Sequence, residues 1–155
     1  MPESTIETAP RQDKADSTEL APLRVRLAAM IYESLLVAAV VFVASFIVLP
    51  LVGDLHTPWQ RHLYQGWLIA VMFGYFATFW LRSGQTLAMK TWRIRLVARD
   101  GRRISLRQAA LRFALALVGI LAGGAGLWWA LADRDRQFLH DRIVGTRQVR
   151  VPRPD

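Results

Sequence analysis

The chain has 155 residues, is 53% hydrophobic and 21% charged, and carries 20 Lys+Arg against 12 Asp+Glu, a formal net charge of +8. This length suits one domain, and the lack of cysteine excludes a disulfide framework, thiolate metal sites and a cysteine nucleophile. A soluble chain this basic would read as a nucleic-acid binder. Here the apolar residues are gathered into three long blocks with the charge between them, so the basic excess is read as membrane topology and no nucleic-acid partner is expected.

Residues 1–19 are polar and of mixed charge and lack an apolar core. They are expected to be a disordered cytoplasmic tail rather than a cleavable signal. Residues 20–151 then form one transmembrane domain, and 152–155 a short tail. The first apolar block, 27–52, contains one charge, Glu33. The second, 63–81, carries none, and neither does the third, 113–132, which has Arg112 at its threshold. Each is long enough for a transmembrane helix. The expected fold class is an all-α membrane protein of about three transmembrane helices, with a small basic β-hairpin-like segment in the cytoplasm.

The Lys and Arg residues set the expected topology. Four precede the first block, one (Arg61) lies between the first and second, nine lie between the second and third, and six follow the third. The positive-inside rule puts the N-terminus and the second loop in the cytoplasm and the first loop outside. Three full crossings would then leave six Arg residues outside. The third block contains Gly119, Gly123, Gly124 and Gly126, a weak place for a helix, and a bend there would let the chain enter and return. Alternation in Trp92-Arg93-Ile94-Arg95-Leu96 and in Thr146–Val151, with the turn signal Asp100-Gly101, suggests strands that would hold the tail in the cytoplasm if they paired. One uninterrupted block favours a straight span, with Gly119 and Gly123 as a packing face.

In the second block Gly66, Ala70, Gly74 and Thr78 recur every four residues. Small residues on one face let helices approach closely. Packing against the first helix is the expectation, and a dimer face the alternative.

Glu33 lies six residues beyond Leu27, roughly 9–10 Å into the apolar stretch. A carboxylate there costs on the order of 2–3.5 kcal/mol and must face protein or water. Arg26, two turns earlier on the same face, and Arg112 are its candidate partners. Asp141, within Phe138-Leu139-His140-Asp141-Arg142, could accept from an Arg or cap a helix. Arg26, Glu33, Arg112 and Asp141 are therefore the candidates for an ion, proton or electrostatic network. The scattered His56, His62 and His140 give no convincing metal site, no cofactor is implied, and the absence of catalytic motifs argues against an enzyme.

Three stretches resemble the RDD family of small bacterial membrane proteins: Arg26-Leu27-Ala28-Ala29-Met30-Ile31-Tyr32-Glu33; Gly84-Gln85-Thr86-Leu87 with Lys90, Arg93–Val97 and Asp100-Gly101; and Leu139-His140-Asp141-Arg142 with Gly145-Thr146. The resemblance runs over about residues 20–151. It places the family's Arg on Arg26, its first Asp on Glu33 and its second Asp on Asp141. Glu33 is a departure of one methylene, and Ala88 stands where the family often has Gly. The resemblance implies a multi-pass protein of the bacterial inner membrane, with transport of ions or small solutes as the suggested activity. The competing expectation is a non-transporting accessory protein that binds a partner through its helix faces. Either reading admits a homo-oligomer or a membrane-protein partner.

Overall fold

The computed structural model describes residues 20–53, 56–134 and 137–152. The expected N-terminal tail, 1–19, lies outside the described residues. The elements are α1 (Leu23–Val52), α2 (Pro58–Arg82), α3 (Leu87–Thr91), β1 (Ile94–Ala98), α4 (Leu106–Leu121), α5 (Ala125–Ala132), α6 (Leu139–Val144) and β2 (Thr146–Arg150).

Helix α1 has 30 residues, about 45 Å at 1.5 Å per residue, against a hydrocarbon core of about 30 Å. Among the described residues it is the one helix both long and apolar enough to cross a membrane on those grounds alone. Its most apolar stretch is not buried in the protein, and Phe42, Phe46 and Leu51 project outward. An apolar surface all round the helix, unburied, suits lipid. Helix α2 has 25 residues, begins behind Thr57 and Pro58, and is diluted by Gln65, Gly66 and Gly74. The Gln60 side chain accepts from the Thr57 amide (3.3 Å) and hydroxyl (2.6 Å), so the start is fixed at Pro58 rather than Leu63.

The third block does not form the straight helix over 113–132 that its composition favours. Helix α4 begins earlier, at Leu106, because Ser105 and Gln108 form a reciprocal cap: Gln108 N–H donates to Ser105 Oγ (3.3 Å), and Ser105 N–H donates to Gln108 Oε1 (2.9 Å). The helix stops at Leu121. Gly123 and Gly124 then adopt φ of +71° and +79°, a left-handed conformation open to glycine. The chain turns there, and α5 packs back against α4. A Cβ on Gly119 would stand 3.6 Å from Gly126 N, so the two arms meet where side chains are absent. Gly119 is thus a packing residue, as expected, but within a helical hairpin; Gly123 makes the turn.

The two basic segments pair as an antiparallel ribbon in register from Ile94↔Arg150 to Ala98↔Thr146. Leu20 bridges to Val149, and Ala21 N–H donates to Gln148 O at 2.9 Å. The ribbon is not a β-hairpin. Asp100-Gly101 does turn the chain, with Gly101 N–H donating to Ala98 O at 2.9 Å, but the turn leads into α4. The partner strand arrives only after the helical hairpin. This pairing sets the two basic segments side by side, with the α4–α5 hairpin folded back on itself between them.

The small-residue face of α2 does not pack against α1. Gly66, Ala70 and Gly74 are exposed, and a Cβ on either glycine would meet nothing within 4 Å. Tyr64 and Tyr75 are eleven residues apart, close to three whole turns, so they share a face. Both donate to α1, Tyr64 to Ser45 Oγ and Tyr75 to Glu33 Oε1, each at 2.7 Å. Those hydroxyls orient α2, and Gly66 is turned about 200° away.

The native chain has no cysteine, so single-cysteine variants report sidedness directly. Arg103→Cys and Arg150→Cys are expected to react with a membrane-impermeant maleimide from the same side, and Gln60→Cys from the other. Reaction of Arg150→Cys from the Gln60→Cys side would mean that the third block crosses.

Candidate functional site

A buried polar cluster forms where α1, α4, α6 and β2 converge. Arg112 of α4, with its side chain 6% exposed, pairs with Asp141 Oδ1 of α6. Asp141 is fully engaged: Thr146 Oγ1 donates to Oδ1 (2.7 Å) and Gln148 Nε2 to Oδ2 (3.0 Å). A buried ion pair is tolerable when its remaining lone pairs are met in this way. The Arg112 guanidinium also lies over the Trp80 ring, 5.0 Å from its centre, and that of Arg26 lies over Phe138 at 5.3 Å. Nearby, Asp133 pairs with Arg142 and accepts from Gln137 N–H (3.0 Å), closing the segment that brings Phe138 under Arg26.

His140 stacks on Phe138, with ring centres 5.5 Å apart and planes 15° from parallel. Burial, and secondarily the Arg112 charge, lower its pKa from 6.5 to about 2. The ring is therefore neutral, and its 3.8 Å approach to Asp141 is a polar contact rather than an ion pair.

Glu33 lies deeper along α1. It accepts from Tyr75 OH at 2.7 Å and, through Oε2, from Thr86 Oγ1. No ion pair to Glu33 is present among the described residues. Thr86 is held as the N-cap of α3, with Met89 N–H donating to its hydroxyl at 3.2 Å. The preceding residues anchor that cap. A Cβ on Gly84 would come within 2.8 Å of Leu96 O, so only glycine allows the approach, and Gln85 Nε2 donates to Ile94 O at 2.7 Å. Gly84-Gln85-Thr86 thus fastens β1 to the point where Glu33 is held.

Between α1 and α4, with α2 behind, lies a partly open cleft of about 300 Å³. Arg26, Glu33, Thr86, Arg112, His140 and Gln148 line its polar end, and apolar side chains line the rest. Glu33 is the carboxylate on its wall among the described residues. A carboxylate held by hydroxyls and facing a cavity can take up or release a proton or small cation, whereas the Arg112–Asp141 pair is already compensated.

All four candidate residues therefore gather at one end of the molecule. Arg112 and Asp141 meet directly and Arg26 lies on the same wall, but Glu33 pairs with hydroxyls and with neither Arg. Sequence reasoning missed Tyr75, Thr86, Trp80 and Phe138. A phenol inside an uncharged apolar block, and a Thr immediately before the helical Leu87, were the available signals for the first two.

The RDD family model matches residues 20–145, most of the chain and all but the last strand of this framework. The chain belongs to the RDD family. An uncharacterized protein of Rickettsia prowazekii (strain Madrid E), RP437, is 35% identical over 79 residues, 50% of this chain and 43% of that one. The match thus spans less than half of that relative. No solved structure matches. Within this RDD chain, Asp141 is the buried acid of α6, and Arg26 and Glu33 lie on α1.

Arg112→Ala would strand Asp141 in the interior and is expected to cost about 3–5 kcal/mol, read as a lower melting temperature in detergent. The double variant Arg112→Met/Asp141→Leu removes both charges and is expected to recover more than half of that loss; equal loss in both would show that the pair does not hold α6 to α4. His140 has a lowered folded-state pKa, so the unfolded chain binds the additional proton below pH 6.5. Its contribution is present above that pH and is lost as pH falls toward 2. Melting temperature should therefore drop between pH 7 and pH 5, with a shallower drop in His140→Phe.

Proposed function

We propose that this RDD protein is a multi-pass protein of the bacterial inner membrane, with its N-terminus in the cytoplasm, that moves a proton or small cation using Glu33 as the exchanging carboxylate. The observation that carries this reading is the placement of Glu33: within the long apolar helix α1, on the wall of a cleft, held by the Tyr75 and Thr86 hydroxyls with no Arg partner among the described residues. An intramembrane acid is costly and is a functional candidate by default. The hydroxyl donors make it reversible, since each can stay hydrogen-bonded whether Glu33 is charged, protonated or beside a cation. So few helices enclose no complete pathway, so the working unit is a homo-oligomer or a complex with another membrane protein. No enzymatic step belongs to this reading.

One observation favours a second reading, that of an accessory protein without transport. The face bearing Gly66, Ala70 and Gly74 is exposed and bare of side chains, a surface on which a partner helix can lie closely. Under that reading Glu33 orients helices, and its loss lowers abundance rather than flux.

Proton flux in proteoliposomes after pulses of sodium, potassium or lithium separates the two. Wild type is expected to respond to at least one ion, and Glu33→Gln, with its melting temperature retained, to none. Flux preserved in Glu33→Gln overturns the transport reading. A silent wild type, together with a stoichiometric partner on purification, supports the accessory reading.

A further inference from the structure

The charged groups around the cleft are compensated by one another, except for Glu33. Arg112 is matched by Asp141. Asp133 pairs with Arg142, its charge also acts on Arg26, and Arg26 has a further interaction of its own. His140 carries no charge. Glu33 has two hydroxyl donors and no cation among the described residues. It also stands apart from both guanidiniums. Arg26 lies seven residues earlier, about 10 Å along α1. Arg112 lies over Trp80, which is five residues, about 7–8 Å along α2, beyond the Tyr75 that holds Glu33. A charge added to the cleft is met at Glu33, and there it must be positive.

The walls set the second demand. Met30 and Val37 stand one turn to either side of Glu33 on α1, and Met72 and Leu117 continue the lining from α2 and α4. Methionine is unbranched and polarizable, so it adapts to apolar bodies of varied shape. Phe76 and Phe113 line the cleft as well, with ring centres 6.1 Å apart. Aromatic rings attract a desolvated cation, and organic ammonium groups are held in this way. The volume, about 300 Å³, matches the lower end of small-molecule sites, roughly 300–1,000 Å³. A metal ion can sit at Glu33 but leaves these walls uncovered. A neutral lipid tail covers the walls and leaves Glu33 unmatched. An acidic molecule sets like charge against like. An ammonium on an apolar body meets both demands.

We propose that the cleft binds a monovalent organic amine with a compact apolar body, its ammonium against Glu33 and its body between α1, α2 and α4. The proposal rests on the reading of Glu33 as an exchanging carboxylate and names the class of cation it takes. Binding is measured without an ion gradient, so the two fail separately. Amine binding without flux counts against transport and leaves the site standing. Proton flux driven by sodium, potassium or lithium, without amine binding, overturns this inference alone.

The test is equilibrium dialysis of the full chain in phosphatidylcholine nanodiscs against tritiated phenylbutyl-dimethylamine, an amine protonated at neutral pH. Empty nanodiscs give the uptake due to lipid alone. The expected result is saturable binding above that background, at least about tenfold tighter than that of phenylvalerate, a carboxylate with a body of similar size. Glu33→Gln keeps the shape of the side chain and removes its charge, and should weaken amine binding about tenfold or more. Ala116→Phe adds a ring to the α4 wall and leaves Glu33 intact. It should weaken binding to a similar degree, and it carries the test if Glu33→Gln loses its melting temperature. Binding unchanged by Ala116→Phe, or unchanged in a folded Glu33→Gln, overturns the proposal. So does equal affinity for phenylvalerate, or uptake no greater than that of empty nanodiscs.

Discussion

The fold depends on the buried pair between Arg112 and Asp141. Desolvating two charges costs several kcal/mol each, and attraction offsets that cost only when geometry and hydrogen bonding are good. Here Thr146 and Gln148 complete the shell of Asp141, and both lie on β2. The acid therefore ties the helical hairpin to the strand that follows it. Because β2 pairs with β1, and Leu20 pairs with β2, the same residue indirectly positions the entry to α1. Breaking the pair leaves an uncompensated charge at the junction of several elements.

That junction accounts for the position of the cleft. Helix α2 packs on both α1 and α4, and Arg26, Arg112 and Phe138 line the cleft between those two helices. Each guanidinium is stacked on an aromatic ring at that end, and the cleft continues between apolar faces of the two helices. The polar cluster holds the ribbon to the bundle and also sets the cleft's closed end.

Much of this was legible in the sequence. The apolar blocks, the isolated Glu33, the Lys/Arg asymmetry and the C-terminal motif all follow from residue type and spacing, and Arg26, Glu33, Arg112 and Asp141 do collect at one end. The bend of the third block was not decided, because four glycines weaken a helix without saying where the chain turns; the left-handed Gly123-Gly124 pair settles it. The role of Asp100-Gly101 was misread because a turn signal is local, whereas the partner of β1 arrives some fifty residues later. The partners of Glu33 were missed for a related reason. Thr86 and Tyr75 are 53 and 42 residues away, so no sequence spacing connects either hydroxyl to Glu33.

Glu33 and Asp141 illustrate how surroundings divide two acids within a few side chains of each other. Asp141 has a cation and two neutral donors, so its charge is compensated where it stands. Glu33 has two hydroxyls and no cation among the described residues. Hydroxyls donate to a carboxylate and accept from a carboxylic acid, so Glu33 can change state without losing its partners. Rooted on α1, its side chain reaches both Tyr75 on α2 and Thr86 at the cap of α3. Because Thr86 is positioned by Gly84 and Gln85 against β1, the state of Glu33 is linked through that cap to the β1–β2 ribbon.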